Sequence, residues 1–184
     1  MYLIGYILQR QFKVYTFAYV IIKESIMKIT ILCVGKIKEK YFTDAIKEYT
    51  KRLSRFANTE IIEVADEKIP DNASAREEEI IKEKEGSKIL SKIREASYII
   101  ALCIEGKEMS SEELAKKIEN ISMQASHIVF IIGGSLGLSD AVKEKAHLKL
   151  SFGKMTLPHQ LMRVVLCEQV YRAFKINNNE SYHK

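Results

Sequence analysis

The chain is 184 residues long, enough to bury a substantial core in one domain without disulfides or a structural metal. An apolar share of 47% and a charged share of 29% exclude a disordered protein, and a net charge of +5 leans toward a polyanionic partner. Cys33, Cys103 and Cys167 stand far apart inside apolar runs, with neither CxxC nor metal-ligand spacing. That pattern excludes a disulfide scaffold or zinc module; it fits small buried hydrophobes in a reducing cytoplasm, and no metal is expected.

The first 26 residues, MYLIGYILQRQFKVYTFAYVIIKESI, are aromatic and apolar but interrupted by Arg10, Lys13, Lys23 and Glu24. Their longest uncharged runs are nine residues, against the about 20 that a membrane helix needs. The basic residues follow the first apolar run and no small-residue cleavage site appears, so neither a span nor a signal peptide is expected. The favoured reading is a segment read from an upstream start codon, with Met27 as the usual first residue. The alternative is an extra strand or a short amphipathic helix.

From Met27 the pattern alternates. KITILCV (28–34) predicts a buried strand, closed by Gly35. Phe42, Ala45, Ile46, Tyr49, Leu53 and Phe56 recur at helical spacing over 39–56. TEIIEVA (59–65) predicts a second strand, DEKIPDNAS a loop, and 75–95 a highly charged helix with a solvated face. YIIALCI (98–104) is continuously apolar, as a strand covered on both faces should be. Ser110 and Glu113 form a capping box for a helix over 111–122. HIVFII (127–132) is the fourth strand, followed by GGSLGLS, a short helix over 139–147, a fifth strand LKLSF (148–152) and a final apolar helix. Strands alternating with helices define an α/β protein with a mostly parallel sheet flanked by helices.

Open parallel sheets bind ligands beyond the carboxyl ends of their strands. Three segments fall there: EGKEMS after the third strand, GGSLGLS after the fourth and GKMTLPHQ after the fifth. Gly133, Gly134 and Gly137 let the backbone approach a ligand or simply make a tight turn. Their spacing is GGxxG, not GxGxxG, and the next strand ends in Phe152 and Gly153 where a ribose-binding acid would stand, which argues against a nicotinamide enzyme. Pro158 suits the first turn of a helix. His159 and Arg163 are four apart and share a face, as are Glu168 and Arg172 with the acid first. The rest of that helix is so apolar that burial on several sides, by its own sheet and by another subunit, is expected. Tyr182, His183 and Lys184 close the chain with a ring, an imidazole and a cation, a set suited to stacking on a base and holding a phosphate, or to a frayed tail. Lys36, Lys38, Lys40, Lys51, Arg52 and Arg55 could contact phosphates or form a solvated helix face.

KITILCVGKIKEKYF, IEGKEMSSEE, IGGSLGLS, LSFGKMTLPHQLMRVVLCEQVYRAFKI and the terminal YHK together resemble the ribosomal RNA large-subunit methyltransferase H family, of the SPOUT class. The resemblance spans residues 27–184 as one domain and leaves 1–26 outside it. It implies a SPOUT-type fold with a C-terminal trefoil knot, an S-adenosylmethionine cofactor and a cytoplasmic homodimer. The implied reaction is methylation at N3 of a pseudouridine in 23S ribosomal RNA, on the assembled 70S ribosome. By motif position it places Leu102, Gly133, Phe152, Gly153, Lys154, Met155, Thr156 and Leu157 around the cofactor. His159, Arg163, Tyr182 and His183 are the candidates for a base or for substrate positioning. Two other readings remain: a SPOUT methyltransferase for another RNA, and a non-catalytic ribosome-binding factor that has kept the fold.

Overall fold

The computed structural model describes residues 26–182, so the expectations for the first 25 residues, and for His183 and Lys184, lie outside the described residues. Five strands form one sheet, β1 (Met27–Val34), β2 (Ala57–Val64), β3 (Tyr98–Glu108), β4 (His127–Ile132) and β5 (Leu148–Ser151). Their spatial order is β2-β1-β4-β3-β5 and every pairing is parallel. Five helices connect and cover them: α1 (Lys40–Leu53), α2 (Ala75–Leu90), α3 (Ser111–Ser122), α4 (Asp140–Lys145) and α5 (His159–Asn177).

Alternation along the central strands sorts side chains onto two cores. Ile29, Ile31 and Cys33 of β1, with Ile128, Phe130 and Ile132 of β4, meet α1, α3 and α5 on one face. Leu32 and Val34, with Val129 and Ile131, meet α2 and α4 on the other. Both faces being covered, β1 is buried almost end to end, as its unbroken apolar run requires. The edge strand β2 alternates instead, with Asn58, Glu60 and Glu63 exposed.

Ser110 caps α3 as its sequence predicts. Its hydroxyl accepts the Glu113 N–H at 3.2 Å, and its own N–H donates to the Glu113 carboxylate at 2.8 Å. Ser74 and Glu77 cap α2 in the same way, so the charged helix begins at 75 as expected; it ends at Leu90, short of the expected 95. Helix α5 turns Arg163, Leu166, Cys167, Val170 and Ala173 inward at i, i+3, i+4, i+7 spacing. Leu161, Met162, Val164, Val165 and Tyr171 stay only half-buried. No helix of the described residues is long and apolar enough to cross a membrane.

The expected third strand, 98–104, runs on to Glu108. It leaves β5 after Leu102 and rejoins it at Lys107, and both of those residues register with Leu150. Residues 103–106 therefore arch away from the sheet. Gly106 makes the arch possible, because a Cβ there would stand 2.7 Å from the Leu150 carbonyl carbon and 2.8 Å from that of Lys149.

Candidate functional site

A cavity of about 400 Å³ opens at the carboxyl edge of the sheet, within the ordinary size range for a small-molecule site. Its walls are the three strand-end segments: Leu102 and the arch, the glycine turn 133–138, and the loop 152–157. Apolar side chains of Leu102, Ile132, Leu138, Leu150 and Leu157 alternate with glycine backbone. The glycine turn folds back on itself through a bridge between Gly134 and Gly137. A Cβ on Gly133 would meet the Gly137 carbonyl at 2.7 Å, so this turn admits no side chain there. Gly153 has open space where a Cβ would stand but a φ of 111°, a backbone that side chains rarely adopt. Ser151 holds that conformation, its hydroxyl accepting the Gly153 N–H at 3.2 Å.

Of the residues singled out in the sequence, Leu102, Gly133, Phe152, Gly153, Met155, Thr156, Leu157 and His159 line this cavity together. Lys154 is exposed and lies outside the lining. His159 begins α5 at the cavity wall, with its Nε2 beside the Gly35 turn at the end of β1. Burial lowers its pKa first and the Arg163 charge lowers it further, against a smaller opposing pull from Asp66. The imidazole is accordingly held neutral at neutral pH.

Arg163 sits elsewhere. It is fully buried, with its guanidinium donating to the Val34 carbonyl at 2.7 Å, to the Gly35 carbonyl at 2.8 Å and to the Glu63 carboxylate at 2.7 Å. Every one of these partners belongs to the ends of β1 and β2, so this side chain fastens α5 to the sheet. Tyr182 folds back against the middle and C-terminal half of α5. It packs edge-on against Tyr171, its hydroxyl donates to Glu168 at 3.2 Å, and Arg172 stands over its ring at 4.7 Å. Burial and the Glu168 charge push its phenol up to about 12, so it acts as a donor and not as a base. Tyr171 is twelve residues from His159, which places the tail roughly 18 Å along the helix from the cavity of the same chain.

Further residues border the cavity that motif reading did not reach. Glu105 on the arch pairs with Lys143 of α4 at 3.0 Å, and Lys143 also pairs with Asp140 at 3.1 Å, tying two walls of the mouth together. A hydrogen bond from its own backbone amide and then one from Lys143 hold the Glu105 carboxyl below its usual range. Met162 of α5 and Lys82 of α2 complete the lining. The IEGKEMS strand end pointed to Glu105; Lys82 sits in a charged helix where nothing distinguishes it from its neighbours.

The sheet and this cavity define a parallel α/β protein with a small-molecule site built from strand-end loops. Residues 27–183 match the family model described as "Predicted SPOUT methyltransferase". Over 159 residues, 86% of this chain and the whole of each relative, the chain is 61% identical to the "Ribosomal RNA large subunit methyltransferase H" of Streptococcus uberis and 60% identical to that of Clostridium novyi. A solved structure described as a probable methylase family protein from Haemophilus influenzae Rd KW20 superposes at TM-score 0.48 with 13% identity, covering 84% of this chain and 67% of the other. The chain belongs to the SPOUT methyltransferase family, in the group of the large-subunit methyltransferase H proteins.

Proposed function

We propose that this protein methylates ribosomal RNA of the large subunit, using S-adenosylmethionine, at N3 of a pseudouridine in 23S RNA and on the assembled ribosome. The observation that carries the reading is the cavity itself, where the glycine turn, the arch and the loop 152–157 enclose a space suited to a nucleoside with an amino-acid tail. The name shared by relatives about 60% identical supports ribosomal RNA as the substrate. In this reading Leu102, Gly133, Phe152, Gly153, Met155, Thr156 and Leu157 hold the cofactor, with Lys154 at the outer face of the same loop. When bound, the cofactor supplies an electrophilic methyl group.

The chain's own residues then have two tasks. The first is positional. The backbone-rich walls hold reactants in one geometry, and fixing reacting atoms within about 3.5 Å supplies much of the catalysis in such a transfer. The second concerns the proton on N3. His159, neutral and at the cavity wall, is the group suited to accept it. In this reading the active form is a homodimer in which Tyr182, packed against Glu168 and Tyr171 away from its own chain's cavity, and His183 serve the partner's site. The half-buried apolar side chains of α5 are the face that such a dimer would cover. The C-terminal part of the chain also carries, in this reading, the trefoil knot of the family.

The test uses the chain from Met27 onward with radiolabelled cofactor. Assembled 70S ribosomes and free 50S subunits are offered separately, both from cells lacking the modification. Label at N3 of a 23S pseudouridine, mainly in the 70S sample, is the expected result. Cofactor binding without transfer to either sample refutes the substrate assignment. Transfer to 50S alone refutes the requirement for the assembled ribosome.

A further inference from the structure

The segment between β1 and α1, residues 35–39, is exposed at Lys36, Lys38 and Glu39 yet immobilised. Arg163 holds the carbonyls of Val34 and Gly35. Glu63, already bound to Arg163, accepts the Ile37 N–H at 3.1 Å, and Gln160 accepts the Lys38 N–H at 3.0 Å. Ile37 packs against the core. Three residues of β2 and α5 and the core thus fix a short irregular stretch, and two of its fasteners, Gln160 and Arg163, follow the cavity residue His159 in the first turns of α5.

What this stretch presents is charge. Lys36, Lys38 and Lys40 are all exposed, and none of them makes an ion pair with the described residues. Tyr41 follows at once; it is 63% exposed, and its ring lies beside Phe42 at a centroid distance of 4.5 Å. The backbone alternates, with Ile37 inward between Lys36 and Lys38. Two residues of extended chain span about 6.6 Å, on the order of the spacing between successive phosphates along a nucleic-acid strand. Further along, Arg52 of α1 is paired with Glu48 at 2.8 Å, and Arg55, beyond the end of the helix, with Glu180 at 3.1 Å. Lys47 and Lys51 are exposed without an ion pair to the described residues, but they stand about two turns or more along the helix from Lys40.

We propose that residues 36–41 form a docking surface for the RNA strand that carries the target nucleotide, with Lys36, Lys38 and Lys40 against successive phosphates and Tyr41 stacking on an unpaired base. The inference rests on the reading of this protein as an RNA methyltransferase and adds the surface that positions the substrate. A base reaching the cavity brings its backbone past the neighbouring surface, and this stretch adjoins the cavity residue His159, whose Nε2 lies 3.8 Å from where a Cβ on Gly35 would stand. Rigidity matters here because lysines carried on a fixed backbone set the register of a strand, whereas mobile ones only raise local affinity.

The test compares the full chain with its Lys36→Gln/Lys38→Gln/Lys40→Gln variant, and with Lys47→Gln/Lys92→Gln/Lys116→Gln as a control of equal charge loss at exposed positions elsewhere. Ribosomes are the substrate, and cofactor affinity is measured alongside by calorimetry. The triple variant should raise KM for the ribosome on the order of tenfold to a hundredfold, leave kcat and cofactor Kd unchanged, and flatten the log–log salt dependence of RNA binding by about 2. Tyr41→Ala should weaken RNA binding by roughly tenfold and Tyr41→Phe should restore it, since stacking needs only the ring. An unchanged KM and salt slope, an equal effect from the control variant, or a loss of cofactor affinity in the triple variant each overturns the docking surface. Failure of the unmodified chain to label any ribosomal RNA is a different outcome: it removes the functional reading, and the docking surface with it.

Discussion

Replacing Arg163 by methionine separates a structural role from a catalytic one. The guanidinium reaches three acceptors, the Val34 and Gly35 carbonyls and the Glu63 carboxylate, at 2.7 to 2.8 Å, and the side chain is fully buried. Methionine fills most of the volume but donates nothing. Leaving a buried carbonyl without its donor costs about 1 to 3 kcal/mol, and two are left here. Glu63 is 31% exposed along its side chain and regains water, so it adds little. The Arg163 Nε has no partner, so its removal recovers part of the loss. The expected destabilisation is about 3 to 5 kcal/mol, the range found when one partner of a buried pair is removed. Urea unfolding followed by circular dichroism measures it, as a lower midpoint with an unchanged slope. If Arg163→Met unfolds within 1 kcal/mol of the parent while methyl transfer is lost, the fastening role is wrong and the side chain acts on substrate.

Gly106→Ala should cost about 1 to 3 kcal/mol and weaken cofactor binding, because the new methyl meets the β5 backbone and the arch must lift; thermal unfolding and calorimetry read the two effects. Burial, then the charges of Lys28 and Arg94, depress the His127 pKa below the 6.5 of an unperturbed imidazole, and His159 is depressed as well. The unfolded chain therefore binds protons before the folded one as pH falls. Stability is present in full above about 6.5 and declines below it, and His127→Asn should make that decline shallower in urea titrations at stepped pH. Deleting residues 182–184 should abolish methyl transfer while cofactor Kd is unchanged; undiminished turnover would show that the tail has no part in the reaction.

The repeating elements were legible because their signals are local. A continuous apolar run at 98–104 demands cover on both faces, and the Ser110–Glu113 pair sits at the start of its helix. The same signature at Ser74 and Glu77 was equally available, although the helix it opens stops at Leu90 and not at 95. The three strand-end segments converge because parallel topology puts all carboxyl ends on one edge. Beyond that, local signals fail. The extension of β3 to Glu108 depends on where β5 lies, which is a property of strand order. Arg163 shares a helix face with His159, yet one side chain borders the cavity and the other is spent on carbonyls of β1, a division set by the depth of α5 against the sheet. Lys143 and Glu105 are 38 residues apart, and only the fold makes them neighbours.

Both feet of the 103–106 arch rest on Leu150, since Leu102 and Lys107 take the same partner in β5. The stretch between them makes no ladder pairing with β5, so, Gly106 apart, its length and composition can change without shifting the register of any strand. Sheet and pocket are in this sense separately adjustable. A lineage could insert a residue in the arch, or exchange Ile104 and Glu105, and reshape the mouth of the site while each of the five strands kept its neighbours. Leu150 is the residue that cannot take part in such drift, because its displacement would move both ends of the wall at once.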